Sequence, residues 1–251
     1  MRISFKSSIV AAVTAVAASG AFAQKAGDDI VSVGLASIHP STSLGKTTST
    51  SSDAYTAAAF NASLTNASAS VGSTTTMSMS WLHMYNDNIG AEVTIGIPPK
   101  FTQDLNTPNG LAKTHPAAAK MKILTPAVVA KYFFGTSQDQ WRPYVGLGVT
   151  NVSFKNVTTN AGDPTVQALA GTSASFSSAW APVYNAGLIY NINDKWSVNG
   201  SVAYMPIKTT ATFSGPGSSA PSFPNGAQPV TTTGDVKLNT TDYVIRVGYR
   251  F

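Results

Sequence analysis

Apolar and polar residues alternate along eight stretches of the chain. In residues 89–98, Ile89, Val93 and Ile97 fall on one face, and Glu92 and Thr94 fall on the other. A period of two residues is typical of β-strands. The pattern predicts eight strands, which span residues 29–38, 70–85, 89–98, 122–134, 141–155, 177–190, 196–212 and 237–251.

The connections between these strands alternate strictly in length. The long ones are 39–69, 99–121, 156–176 and 213–236, and the short ones are 86–88, 135–140 and 191–195. This order is typical of an up-and-down outer-membrane barrel, in which short turns and long loops emerge at opposite ends. The predicted fold class is therefore all-β, an eight-stranded antiparallel transmembrane β-barrel with long extracellular loops and short periplasmic turns. The tracts 41–52 and 215–224, rich in Ser, Thr or Pro, are expected to be mobile outer loops.

Strand patterning alone fits both a soluble barrel with an apolar interior and a membrane barrel with an apolar exterior. The residues at the strand ends favour the membrane, because Trp81, Tyr85, Tyr190 and Trp196 lie where aromatic girdles belong. The last strand alternates up to a final aromatic residue, Phe251. We expect Phe251 to be the assembly signal that the barrel assembly machinery reads.

Composition and charge narrow the choice of function. Charged residues make up 11% of the 251 residues, against roughly 25% in a typical soluble domain. Residues 1–23 have a basic start, an apolar core and a final Ala-Phe-Ala, which predicts a signal peptide followed by a barrel domain at 24–251. The remaining chain has 14 basic and 11 acidic residues, a net charge of +3 without a basic run, so no nucleic-acid partner is expected.

No catalytic or metal-binding constellation is visible. His39, His83 and His115 lie far apart without chelating spacing, and the chain has no cysteine. His39 and His115 are predicted to be solvent-exposed loop residues, and His83 to lie at the membrane interface. No Gly-x-Ser-x-Gly elbow occurs either. We therefore expect a protein that is not an enzyme and needs no cofactor or metal.

Three charged residues are predicted to point into the barrel. The alternation places Glu92, Lys131 and Arg246 on the polar face, at about the same height near the periplasmic end. The interior of an eight-stranded barrel is only wide enough for side chains to fill, so opposite charges can meet across it. Two interpretations remain open at this point. The cluster either only stabilises the barrel, or also forms the floor of a channel.

Prolines interrupt three predicted strands. Pro126, Pro182 and Pro206 lack the N–H group that a closed ladder uses, and prolines inside strands mark bulges or breaks in pairing. We expect breaks near one or more of them to form a lateral opening toward lipid. The alternative is that they lie above the hydrocarbon zone, where water satisfies the freed carbonyl groups.

Several motifs resemble the OmpW/AlkL family of small outer-membrane barrels. The segments that carry the resemblance are KYFF at 131–134, WRPYVGLG at 141–148, AGLIY at 186–190, NDKWSVN at 193–199 and VGYRF at 247–251. The chain departs from the family after residues 97–101, where Thr102, Gln103 and Asp104 replace the usual His-Asp pair.

The resemblance implies a barrel in the outer membrane of a Gram-negative bacterium, with a narrow, largely hydrophobic interior. It also implies passive, porin-like admission of small apolar molecules and their sideways release into outer-membrane lipid. Some members of the family serve as phage or colicin receptors. One alternative is a structural or receptor barrel resembling OmpA and OmpX, with a filled polar interior and function, including adhesion, in its surface loops. Another is a soluble exported barrel that binds a ligand.

The first prediction concerns Phe251. Deleting it should impair insertion, because the last strand would lose the aromatic residue that anchors it at the periplasmic girdle. The measurement is the fraction of protein in outer membranes that shows heat-modifiable migration, and Phe251→Tyr serves as the control that keeps an aromatic ring. Normal insertion of the truncated protein would contradict the prediction.

Overall fold

The computed structural model describes residues 24–110 and 112–251, so the predicted signal peptide at 1–23 lies outside the described residues. The two helices are α1 (Ala54–Ser63) and α2 (Pro164–Ala170). Neither of them is long and apolar enough to cross a membrane. The described strands are β1 (Asp29–Ser51), β2 (Ser68–Val71), β3 (Thr74–Met84), β4 (Ile89–Gly96), β5 (Lys100–Asn106), β6 (Thr114–Leu124), β7 (Ala127–Phe133), β8 (Trp141–Thr159), β9 (Ser173–Phe176), β10 (Ala179–Asn191), β11 (Trp196–Gly215) and β12 (Val230–Arg250).

Eight of these strands form a closed antiparallel ring. Its order is β1, β3, β4, β7, β8, β10, β11 and β12, and β12 pairs back onto β1 from Ile30↔Arg250 to Ser51↔Val230. The predicted eight-stranded antiparallel barrel is confirmed. Closure leaves the ring without a free edge, which a sheet in lipid requires, because the bilayer core contains no water to satisfy unpaired backbone groups.

The outer wall carries an apolar belt. On β4, Ile89, Val93 and Ile97 are all exposed, and on β12 Ile245 and Val247 are exposed as well. Exposed apolar side chains continue around the ring. The apolar area that they form is far larger than the few hundred Å² of a contiguous apolar patch on a soluble monomer. The outward face of the predicted strands is therefore the lipid face, as the alternation indicated.

Aromatic rings mark the rim of this belt at the periplasmic end, which has the short turns and is called the lower end. The ring centroids of Trp196 and Tyr249 are 5.0 Å apart, and those of Tyr249 and Phe251 are 5.1 Å apart. The N–H of Phe251 donates to the carbonyl oxygen of Asp29 (3.0 Å), so the last residue continues the contact between β12 and β1.

The long connections contain more regular structure than composition predicted. Residues 41–51 are not a loop but the upper half of β1, where Ser49 Oγ lies 2.7 Å from Thr232 Oγ1 on β12. Serine and threonine tracts form strands there because a long neighbouring strand supplies the backbone partners. The connection 99–121 likewise holds most of the β5–β6 hairpin, and 156–176 holds α2 and β9. Within 215–224, only Gly215 belongs to a strand.

Two capped helices cover the top of the barrel. Asp53 caps α1 by accepting the N–H of Thr56 (2.8 Å), and Asp163 caps α2 by accepting the N–H of Thr165 (2.9 Å). Aspartate is a favoured N-cap residue because its carboxylate satisfies an N–H that the helix leaves free. The covering apolar cluster consists of Phe60, Leu64, Leu169, Ala170 and Val230.

Two of the three histidines, His39 and His115, differ from the prediction that they are exposed loop residues. His39 is exposed as expected but lies on β1, with Nε2 3.0 Å from Ser37 Oγ, so its assignment to a loop was wrong. His115, also predicted to be an exposed loop residue, lies on β6 and is fully buried. His83 lies beside the lower girdle, with Nδ1 2.9 Å from Asp29 Oδ1.

His115 joins the β5–β6 hairpin to α2. Its Nδ1 lies 2.8 Å from Asp163 Oδ2, and its Nε2 lies 3.0 Å from Thr107 Oγ1. Partial burial by itself would raise the pKa of Asp163. The hydrogen bond from His115 and the backbone N–H groups of Val166 and Thr165 outweigh that effect and hold the pKa of this carboxyl below its ordinary value.

A second prediction follows for this contact. Asp163→Ala should destabilise α2 by about 1 kcal/mol through loss of the cap, and Asp53→Ala should affect α1 only. Hydrogen exchange of the backbone amides in α1 and α2 measures the stability of each helix in the two variants. A carboxyl with a lowered pKa stabilises the fold above its unfolded pKa of about 3.9. The wild-type cap should therefore weaken as the pH falls below about 4. Unchanged exchange in α2 of Asp163→Ala would contradict the assignment.

Candidate functional site

A buried charge cluster lies in the lower half of the lumen. Glu92 on β4 contacts Lys131 on β7, with Nζ 2.8 Å from Oε2, and Arg246 on β12, with Nη1 3.5 Å from Oε1. Each of the three side chains is at most 6% exposed. The structure thus brings together the three charged residues that alternation placed inside the barrel.

Neighbouring groups support these charges. The Thr94 hydroxyl donates to Glu92 Oε1 (3.1 Å), and Arg246 donates from Nη2 to Ser78 Oγ (2.7 Å). The Lys131 ammonium lies 4.3 Å from the centre of the Tyr144 ring. Such contacts matter because a buried charge is tolerated only when it is paired and hydrogen-bonded.

Asp242 is a fourth ionisable residue in the lumen, and it was not predicted as part of the site. It lies on β12 four residues from Arg246, is buried, and lines the same cavity. Among the described residues, its Oδ1 has no hydrogen-bond partner. The alternation already placed Asp242 on the inward face, so the sequence did contain the signal.

Below the cluster, two further layers of side chains close the lumen, and neither was predicted from the sequence. A layer of buried apolar side chains comes first: Ile30, Leu82, Met84, Phe133, Tyr144 and Ile189. Beneath it, the fully buried Arg142 donates from Nη1 to the carbonyl oxygen of Gln24 and from Nη2 to that of Asp87, both at 2.6 Å. The charge cluster, the apolar layer and Arg142 are called the plug below.

Arg142 stands inside one of the motifs quoted above, but its role was missed. Its neighbour Trp141 is exposed on the outer wall, so alternation places Arg142 inside. Strand ends are the least certain part of a prediction from sequence, which is why the residue was not assigned to the lumen.

Above the plug, the lumen is lined mainly by apolar side chains. Glu92 and Arg246 form the lower wall of a cavity of about 90 Å³, and cavities of about 20 and 60 Å³ lie higher. The side chains that fill the space around them include Phe101, Met121, Ile123, Val152, Met205, Ile207 and Leu238. This apolar region continues to the helices at the top, so the polar plug is confined to the periplasmic end.

A gap in the wall lies beside the lowest cavity. The β4–β7 ladder ends at Thr94↔Ala127, and the β5–β6 ladder begins only at Lys100↔Lys122. Between them, residues 97–99 and 125–126 lie outside any strand. We call these two segments the proline gap, because Pro98, Pro99 and Pro126 lie in them.

The lowest cavity reaches this gap, because Ile97, Pro98, Pro99 and Thr125 line it. The carbonyl oxygen of Pro126 accepts the Thr150 hydroxyl on β8 (2.9 Å), which holds that side of the gap in place. The prolines inside the predicted strands indicated Pro126 as a candidate opening, but not Pro98 and Pro99.

Pro182 and Pro206 interrupt a different seam. The β10–β11 ladder stops at Tyr184↔Tyr204, and two positions further on that register would place Pro182 opposite Pro206. Each remains in register with its other neighbour, Pro182 with Val149 and Pro206 with Asn239. The inward neighbours Ala181, Val183, Met205 and Ile207 are all packed in the apolar core. Val183 and Met205 also line the lowest cavity, but Pro182 and Pro206 themselves do not, whereas Pro98 and Pro99 do.

Among residues 24–110 and 112–251, no group of three or more His, Cys, Asp or Glu side chains is arranged to hold a metal ion.

Comparison with known proteins gives a consistent result. The sequence profile of the OmpW family matches residues 25–251. The chain is 30% identical to outer membrane protein W of Vibrio cholerae over 247 residues, covering 96% of this chain and 97% of that protein. It is 27% identical to outer membrane protein AlkL of Ectopseudomonas oleovorans, covering 59% of each chain. The crystal structure of OprG from Pseudomonas aeruginosa superposes with a TM-score of 0.71 and 26% identity, covering 91% of this chain and 98% of OprG.

A third prediction tests the charge cluster. Glu92→Gln would leave Lys131 and Arg246 without their shared anion, at a cost of about 3–5 kcal/mol if the site is dry and less if water enters from the adjacent cavity. The measurement is the urea midpoint of the refolded barrel in vesicles. Asp235→Asn, which removes an exposed acid on β12, is the control. A midpoint equal to that of the wild type would refute the predicted role of Glu92 in stability.

Proposed function

Because the chain belongs to the OmpW family and is a Gram-negative outer-membrane barrel, we propose that it passively admits small apolar molecules and releases them sideways into the outer membrane. The proposal includes no covalent chemistry and no cofactor. The observation that carries it is the position of the proline gap, directly beside the lumen cavity that ends on the plug.

Entry needs no energy source. Burying apolar surface stabilises a molecule by roughly 25 cal/mol per Å², so the apolar upper lumen favours transfer from water. The upper cavity is lined by side chains such as Leu64, Leu105, Leu169 and Phe213. Transfer from there into lipid exchanges one apolar environment for another, so the molecule can move down its gradient.

The axial path to the periplasm is blocked for such a molecule. It would have to separate Glu92 from Lys131 or Arg246 and then pass the Phe133–Tyr144 layer. A hydrocarbon offers no hydrogen bond or charge in exchange, so the separated ions would stay unpaired and buried. The plug therefore directs the molecule to a side exit.

The proline gap meets the requirements of that exit. Pro98, Pro99 and Pro126 have no N–H groups, so widening the gap breaks few hydrogen bonds. Ile97, which is 59% exposed, and Val128 place the gap at the lipid-facing surface. At the Pro182–Pro206 break, neither proline lines the lowest cavity and each stays in register with its other neighbour, so we place the exit at the proline gap alone.

The receptor alternative, a barrel resembling OmpA and OmpX that acts through its loops, predicts a hydrogen-bonded polar interior. Polar groups fill the lower lumen here, but the upper lumen around Phe101, Met205 and Leu238 is lined mainly by apolar side chains. That distribution favours transport over a purely structural role.

The fourth prediction tests the exit. Replacing Pro98, Pro99 and Pro126 together by Val supplies N–H groups that can pair across the gap. Two restored hydrogen bonds at about 1 kcal/mol each correspond to roughly thirtyfold less opening. Uptake of a small hydrocarbon should fall accordingly, while uptake of a small polar solute should not change. Pro182→Val/Pro206→Val is the matched control and should leave hydrocarbon uptake unchanged.

Folding of each variant is checked by heat-modifiable migration. If the triple variant takes up hydrocarbon as fast as the wild type, or if the control loses as much uptake as the triple variant, the proposed exit at the proline gap is wrong. If cells with the wild-type barrel take up hydrocarbon no faster than cells without it, the proposed function itself is wrong.

A further inference from the structure

Four lysines that are distant in sequence lie together on the outer wall, above the proline gap. They are Lys100 on β5, Lys120 and Lys122 on β6, and Lys155 on β8. Lys100 pairs directly with Lys122, and Lys122 pairs directly with Lys155, so three lysines form a row across three neighbouring strands. Lys120 lies two residues along β6, opposite Thr102. We call these four residues the lysine patch.

The side chains of the patch point outward. Their sequence neighbours Phe101, Met121 and Ile123 are buried in the lumen core, and successive side chains of a strand point to opposite faces. Lys100, Lys120 and Lys155 are exposed, and Lys122 is half-buried in the middle of the row.

Acidic residues of the protein do not balance this charge. Among the described residues, no carboxylate lies within ion-pair distance of a patch ammonium group. Asp104, an exposed acid on β5, uses its Oδ1 to accept the N–H of Ala117 (2.7 Å). Like charges placed directly opposite on neighbouring strands destabilise a sheet. A row of three lysines therefore calls for an anion from outside the chain.

The height of the patch indicates which anion is available. The outward residues of β8 are apolar up to Val149, then polar at Asn151 and Ser153, and Lys155 follows. On the neighbouring wall, Lys100 comes three residues after the lipid-exposed Ile97. The patch thus lies just above the apolar belt, at the end of the barrel that bears the long connections, which is the extracellular end.

We propose that the lysine patch binds the phosphate groups of lipopolysaccharide in the outer leaflet. Lysine is a common phosphate ligand, and clustered lysines at a membrane surface attract anionic lipid headgroups. Adjacent strands lie about 4.8 Å apart, so the row presents several ammonium groups to one phosphorylated headgroup. The inference rests on the placement in the outer membrane and does not depend on the transport proposal.

The opposite wall provides a comparison. Lys208 and Lys237 pair across β11 and β12, but the exposed Asp235 lies two residues from Lys237 on the same face. That wall therefore carries a smaller net charge than the lysine patch. The periplasmic lysines Lys25 and Lys195 are exposed too, and they lie at the other end of the barrel.

The test uses the full barrel without its signal peptide, refolded in zwitterionic micelles. Binding of lipid A with two phosphates is compared with binding of the same lipid A after dephosphorylation. The wild type should bind the phosphorylated form at least about tenfold more tightly, and this preference should shrink as salt rises. Lys122→Gln/Lys155→Gln should lose most of the preference. The control Lys25→Gln/Lys195→Gln removes the same charge at the periplasmic end and should keep it.

Lys122→Arg keeps the charge and should keep binding, and heat-modifiable migration verifies that each variant folds. Equal binding of the two lipid A forms by the wild type, or unchanged binding by the patch variant, would overturn the proposal. Competition by free glucosamine 1-phosphate at concentrations equal to those of lipid A would also overturn it, because the patch would then bind a soluble phosphate rather than a lipid.

Discussion

The fold depends on one constraint: inside lipid, every backbone N–H and C=O group must find its partner within the protein. The pairing of β12 with β1 meets it by closing the ring, and closure at eight strands sets an interior only as wide as packed side chains. Apolar residues then face outward, so the polar residues of each strand have to be accommodated inside. The arrangement of the lumen follows from how these inward groups satisfy each other.

At the periplasmic end, inward charged groups pair with one another and close the lumen. Glu92 holds two cations, and Arg142 binds backbone carbonyl oxygens below an apolar layer. Towards the outside, the inward positions are mainly apolar and leave small cavities. The ladder of the ring is interrupted at the proline gap. The interruption leaves few N–H groups unpaired, because three residues there are prolines without an N–H. A closed floor with a weak seam just above it supports the proposed sideways release.

The sequence predicted the parts of this arrangement that depend on alternation. The lipid face of β4 and the inward direction of Glu92, Lys131 and Arg246 followed from the period of two. It did not predict features that depend on the register between strands distant in sequence. The lysine patch is such a feature, because its members are spread between positions 100 and 155. The prediction also failed where the amino-acid composition of a segment favours a loop but a neighbouring strand makes it a strand. The Ser/Thr tract of β1 resembles a loop, but β12 provides its pairing partner.

The central claim is that apolar molecules leave the lumen above the plug. Crystals soaked with a small bromoalkane test it, because anomalous scattering locates bromine directly. The account predicts bromine in the upper cavities and beside Ile97 and Pro99, and none between the charge cluster and Arg142. Bromine within the layer of Leu82 and Tyr144 would show an axial path through the plug and contradict the account.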